Sequence, residues 1–196
     1  TKAILAVHWG GYPCELDELR AVAAKYGLPL VEDAAHAFGS IYKGKPIGSH
    51  SDHVCFSFQA IKALTTLDGG LLACRTPDHH RQGKLLRWFG IDRDDAKDEK
   101  GNWKGQHWDF DIKTVGYKFN MNNVSAAIGL SQLKHIDSII AAHRSNALIY
   151  DSEFSNSQVI FRLNKPVNSE SSHWVYTVIT DDSVDRDQLL QKLNAE

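Results

Sequence analysis

The chain is poor in the residues that mark special scaffolds, with three cysteines, one methionine and five prolines in 196 residues. Cys14, Cys55 and Cys74 form no CxxC pair, and two of them sit in apolar, strand-like runs. Buried free thiols in a reducing cytoplasm are therefore expected. No apolar run approaches the length of a membrane span, and TKAILAVHWGG at the start lacks a signal-peptide pattern. It reads as the middle of a protein, because a strand begins at once. Charge of one sign is also missing. With 22 basic and 24 acidic residues mixed along the chain, the formal net charge is −2, so no long-range field draws the protein to nucleic acid or an anionic membrane. There is no internal repeat or low-complexity tract, and no GxGxxG or P-loop follows the first strand.

What is present is ordinary globular composition, 42% hydrophobic and 23% charged. Residues 3–8, AILAVH, read as a buried strand, and 15–27, ELDELRAVAAKYG, as an amphipathic helix stopped by Gly27. A second strand, LPLVEDA, spans 28–34. Strand, helix and strand of these lengths predict a βαβ unit, hence an α/β fold with a mostly parallel central sheet flanked by helices. Ligands of such sheets collect beyond the carboxyl ends of the strands, where Glu32 and Asp33 lie.

Further on, 39–52 has the Gly, Pro and Ser density of a hairpin and loops, and strands are predicted at 52–58 and 69–74. A helix capped by Asp78 should run to Trp88, followed by a long functional loop at 89–120 that carries Trp103, Trp108 and Phe110. One long helix is expected over 122–154, a strand over 173–180 and a helix over 185–195. The division expected from this is a large α/β domain over 1–155 and the beginning of a smaller α+β domain over 156–196.

Chemistry concentrates at the strand ends: Asp33 and His36, Ser57, Lys62 among Ala, Ile and Leu, and the Gly69-Gly70 pair. A primary amine in apolar surroundings has a lowered pKa, because desolvation disfavours the ammonium form, and such an amine can attack an aldehyde. If the aldehyde belongs to pyridoxal phosphate, a carboxylate, phosphate donors and a flat group near the ring are needed as well. Asp33, Ser57 and His36 are of those types. Each also has a plainer reading: Lys62 as a snorkelling surface lysine, Asp33 as a cap, Ser57 and His36 as satisfied core groups. Two polar groups, His107, Asp109 and Asp111, and His50, Asp52 and His53, have metal-ligand residue types but no recognised spacing, so no metal is expected. Trp9 and Tyr12 follow the first strand and either line the site or pack.

The strings 31-VEDAAHAFGSIYKGKPIGSHSDHVCFSFQAIKALTTLDGG-70 and 115-VGYKFNMNNVSAAIGLSQL-133 resemble the DegT/DnrJ/EryC1/StrS family of sugar aminotransferases, which are fold-type-I pyridoxal-phosphate enzymes. The resemblance covers nearly the whole chain. It implies that Lys62 bonds covalently to the cofactor and shuttles a proton, that Asp33 pairs with the pyridine nitrogen, that His36 packs on the ring or meets its phenolic oxygen, and that Ser57 binds the phosphate. The family's Gly-Tyr-Asn-Tyr-Arg, whose Asn reaches the phosphate of the neighbouring subunit, reads 116-GYKFN-120 here, so Lys118 or Asn120 would take that part. The implied reaction is transamination of a nucleotide-linked keto sugar, with glutamate as donor, by a cytoplasmic homodimer with shared sites. Family members start before Thr1 and continue past Glu196, so the chain is expected to be a fragment, inactive alone. Two rivals stand beside this reading: a non-catalytic binding protein on the same fold, and a sugar dehydratase, in which a histidine would replace Lys62.

Overall fold

A computed structural model describes residues 1–95, 97–105 and 111–195. Its centre is a four-stranded sheet in the order β1 (Ile4–Val7), β2 (Leu30–Asp33), β5 (His53–Ser57) and β6 (Gly70–Cys74). β1, β2 and β5 run parallel, and β6 returns antiparallel to β5. The predicted mostly parallel sheet is thus present. The connection between β5 and β6, residues 58–69, folds into turns rather than a crossover helix, and β6 returns along the edge.

Between β1 and β2 lies α1 (Leu16–Tyr26), whose Leu16 and Ala23 are buried. It ends at Gly27, which adopts the left-handed φ of 62° that a side chain disfavours. Leu16, Ala23, Ala6, Leu30, Ala34, Val54 and Tyr42 form one core on the α1 side of the sheet. The opposite face is covered only in part: Gly83 of the helix that follows β6 lies against Leu72 and Cys74 there, while Leu5 and Leu72 stay 63% and 46% exposed. Cys55, which pairs with Asp33 and Leu72 across that face, is exposed, and Cys14 and Cys74 are only half-buried. The expectation of buried thiols is corrected accordingly. Cys55 lies on the partly covered face, Cys74 is met there by the following helix without being enclosed, and Cys14 sits beside β1, where its thiol donates to the Val7 carbonyl.

The region 39–52 contains the predicted hairpin, β3 (Ile41–Tyr42) with β4 (Lys45–Pro46). α2 (Pro77–Arg87) is capped by Thr76, whose hydroxyl accepts the His79 amide at 3.1 Å, and Pro77 opens the helix. Asp78, expected as the cap, sits in the first turn instead.

The expected long helix is two. α3 (Asn123–Leu133) is capped by Asn122, and α4 (Ile136–Glu153) restarts after His135, which leaves the helix at φ −111° and ψ −3°. The restart directs Ile136 and Ile140 into a second core with Phe58 and Leu64. Gly39 lets α4 approach: its φ is +85°, and a Cβ there would stand 2.2 Å from Ile140.

β7 (Ile160–Arg162) pairs with β9 (Val178–Thr180), and β8 (Ser169–Glu170) pairs with β3. The strand expected over 173–180 is therefore confined to its last three residues. Residues before them spend their polar groups elsewhere: Ser172 N–H donates to Ser40 Oγ at 2.9 Å, and the Trp174 indole N–H donates to the Ile61 carbonyl at 3.0 Å. α5 (Arg186–Leu193) follows, capped by Asp185.

Candidate active site

Asp33 and Ser57 are the last residues of β2 and β5, so the parallel sheet delivers both to its carboxyl edge. The Asp33 carboxylate accepts the Ala35 amide at 3.0 Å, which starts the turn carrying His36. Ser57 Oγ accepts the Gln59 amide at 3.3 Å, leaving its own hydroxyl proton free to donate. The chain then bends, with Lys62 N–H donating to Gln59 O at 2.9 Å, and presents Lys62 from a loop between β5 and β6.

His36, Ser57 and Lys62 line one small recess together with Ala35, Phe38, Ala63 and Trp174. Burial pushes the Lys62 amine below the ordinary lysine range, and the negative charge of Asp33 opposes it. Burial also lowers the His36 pKa, as does the Lys62 charge, against the pull of Asp33. The Gly10 amide donates to His36 Nδ1 at 3.3 Å. A neutral His36 thus carries its proton on Nε2, ready to donate.

Lys118 and Asn120 do not join this group. They border another cavity, of about 430 Å³, with Gly69, Gly70 and the first residues of α3. Lys118 is exposed; Asn120 donates from Nδ2 to Met121 O at 3.3 Å, and its buried Oδ1 has no partner. Of the two groups of metal-ligand type, the one that is described in full finds other partners. His50 contacts the Lys45 carbonyl, Asp52 pairs with Arg75, and His53 lies against the His79 ring. His107 and Asp109, with Trp108 and Phe110, lie outside the described residues.

Sequence reasoning missed Trp174. Its indole stacks on His36 with ring centres 4.1 Å apart, and Lys62 Nζ sits 3.7 Å from the indole centre. Trp9 meets the His36 ring edge-on at 5.1 Å, so it lines the site, whereas Tyr12 packs on His173. Serines hold the Trp174 segment: Ser40 Oγ donates to Gly11 O, Ser172 Oγ donates to His36 O, and Arg144 donates to Ser171 O and Gly39 O. The available signal was the serine run 169-SESS-172 directly before His173 and Trp174, since serine hydroxyls and amides readily tie a segment to nearby backbone.

Residues 1–196 match the sequence pattern of the DegT/DnrJ/EryC1/StrS aminotransferase family over their whole length. The chain belongs to that family. The UDP-4-amino-4,6-dideoxy-N-acetyl-beta-L-altrosamine transaminase of Campylobacter jejuni is 34% identical to it over 177 residues, which are 90% of this chain and 44% of that protein. The sugar aminotransferase CalS13 of Micromonospora echinospora superposes with a TM-score of 0.86 at 35% identity, covering 100% of this chain and 52% of that one. Spr1654 of Streptococcus pneumoniae, solved in PLP and PMP forms, gives a TM-score of 0.84 at 30% identity, with 100% and 52% covered. The chain thus spans about half the length of the relatives it matches, and its fold is that of these fold-type-I enzymes.

Proposed function

We propose that the protein is a pyridoxal-phosphate-dependent aminotransferase that moves an amino group from glutamate to a nucleotide-linked keto sugar. The observation that carries this reading is the Lys62 amine, held below its ordinary pKa at a strand-end loop with Asp33 and His36 beside it. The donor set fits the cofactor: an amine, a carboxylate, a hydroxyl and an imidazole N–H converge at one sheet edge. Bound pyridoxal phosphate supplies an aldehyde for amino groups and a ring that accepts electrons from a carbon losing its proton.

The chain's own residues would do the rest. Lys62 would hold the cofactor through Nζ and, when released, would move a proton at the reacting carbon. Asp33 would hold a positive charge on the ring nitrogen. His36 would pack on the ring or donate Nε2–H to its phenolic oxygen, and the Ser57 hydroxyl would donate to the phosphate. Lys118 or Asn120 would serve the partner subunit's phosphate site in a homodimer, across the cavity they border. The nucleotide-sugar acceptor is inferred from the likeness to the Campylobacter transaminase, which acts on a UDP-linked sugar. Among the described residues no helix is long and apolar enough to cross a membrane. We place the enzyme in the cytoplasm, where nucleotide sugars and glutamate are at hand.

The test is to purify the full chain with pyridoxal phosphate and look for the yellow chromophore of covalent capture. Lys62→Ala should abolish it; an unchanged spectrum would sink the assignment. Glutamate with a panel of keto-sugar nucleotides then checks amino transfer, and binding without transfer to any of them would favour a non-catalytic role.

A further inference from the structure

We propose that Trp174 is a positioning residue of this site, its indole face holding the Lys62 amine and its ring nitrogen fixing the backbone that carries Lys62. The inference rests on Lys62 being the nucleophile. Two separate contacts support it. Lys62 Nζ lies 3.7 Å from the indole centre, within cation–π range. The indole N–H donates at 3.0 Å to the carbonyl of Ile61, the residue just before Lys62. One side chain thus grips both ends of the lysine.

The grip is itself braced. The indole stacks on His36 at 4.1 Å, and His36 receives the Gly10 amide on Nδ1. Two residues before Trp174, Ser172 is tied to Ser40 and to the His36 carbonyl, and Arg144 holds Ser171. Little space is left in the recess, about 10 Å³.

Three groups face the amine: the Asp33 carboxylate at the end of β2, the His36 ring in the following turn, and the indole from the segment after β8. Asp33 and the indole favour the ammonium form, and burial opposes it. Capture of an aldehyde needs the neutral amine. Nζ bonds to the aldehyde carbon, the carbon–oxygen double bond breaks, and the oxygen leaves as water with the two amine protons. The pH at which capture reaches half its maximal rate therefore reports how strongly the ammonium is held.

The experiment follows capture of pyridoxal phosphate against pH in cofactor-free full chain, for the wild type, Trp174→Leu and Trp174→Phe. Leucine keeps apolar bulk and removes the π face; phenylalanine keeps a face. The half-maximal pH should fall by about half a unit or more in Trp174→Leu, with Trp174→Phe closer to the wild type. Trp174→Met replaces the leucine variant if that one fails to fold. Equal midpoints for the aromatic and non-aromatic variants would overturn the positioning role while leaving Lys62 as the nucleophile. Absence of the chromophore in the wild type, or its survival in Lys62→Ala, would overturn the nucleophile assignment and this inference with it.

Discussion

Glu32 and Asp33 are consecutive residues of β2 and face opposite sides of the sheet. Glu32 points to the α1 side, where it is fully buried and meets His8 Nε2 at 2.9 Å, also fully buried. The Cys14 amide donates to His8 Nδ1 at 3.0 Å, so the Nε2 proton faces Glu32. Asp33 points to the opposite, partly covered face, and among the described residues its carboxylate takes just a local amide, leaving oxygen capacity free beside Lys62 and His36. Identical chemistry one residue apart is consumed by the fold on one face and held for reaction on the other. What decides is whether a covering layer has already supplied the partner.

The largest test of this contrast is Glu32→Ala. It leaves the buried His8 Nε2 unpartnered and should lower unfolding free energy by about 3 kcal/mol, read from urea denaturation. Asp33→Asn keeps the acceptor for the Ala35 amide and should change stability by less than about 0.5 kcal/mol. Its effect should fall on chemistry, with amino transfer reduced on the order of 100-fold or more in the assembled enzyme. A destabilised Asp33→Asn or a stable Glu32→Ala would break the comparison.

A smaller effect separates the two in acid. Burial alone would push the Glu32 carboxyl up, but the hydrogen bond and charge of His8 outweigh it and hold the carboxyl below its usual range. A group with a depressed folded pKa contributes stability that is present above its unfolded value, about 4.3, and lost as pH falls through the folded one. Unfolding free energy should therefore drop as the pH falls below that value in the wild type and drop less in Glu32→Gln, which cannot titrate. Equal slopes would show that Glu32 is not held ionised.

Much of this contrast was legible in the sequence. The apolar run LPLV and the acidic pair after it place β2 and its carboxyl end, and the ordered string from Glu32 to Gly70 picks out Asp33, His36, Ser57 and Lys62. Long-range partners were not legible. Nothing local tells that His8 meets Glu32 across 24 residues, or that Trp174 lies on Lys62. The break at His135 was hidden because neither Gly nor Pro stands there, and the helix restarts to seat Ile136 and Ile140 rather than from local propensity. A strand was read over 173–180, yet in its first part the His173 amide donates to Ser171 Oγ and the Val175 amide to the Gly10 carbonyl, partners outside the β7–β9 ladder.

The smallest effect belongs to a third acidic residue on the α1 side, Asp17. It pairs with Lys43 and Arg20, and burial of the Lys43 and Asp17 side chains is incomplete, each 48% exposed. The Lys43 contact pulls the Asp17 pKa down in the same direction as Glu32. A shared direction does not mean a shared weight: water and salt screen an exposed pair, and two flexible side chains must be ordered to make it. Asp17→Asn should therefore leave the denaturation midpoint unchanged within error, and raising the salt should not separate it from the wild type. A clear loss of stability in Asp17→Asn would mean that ion pairing alone, rather than burial of the pair, is what ties Glu32 to the fold.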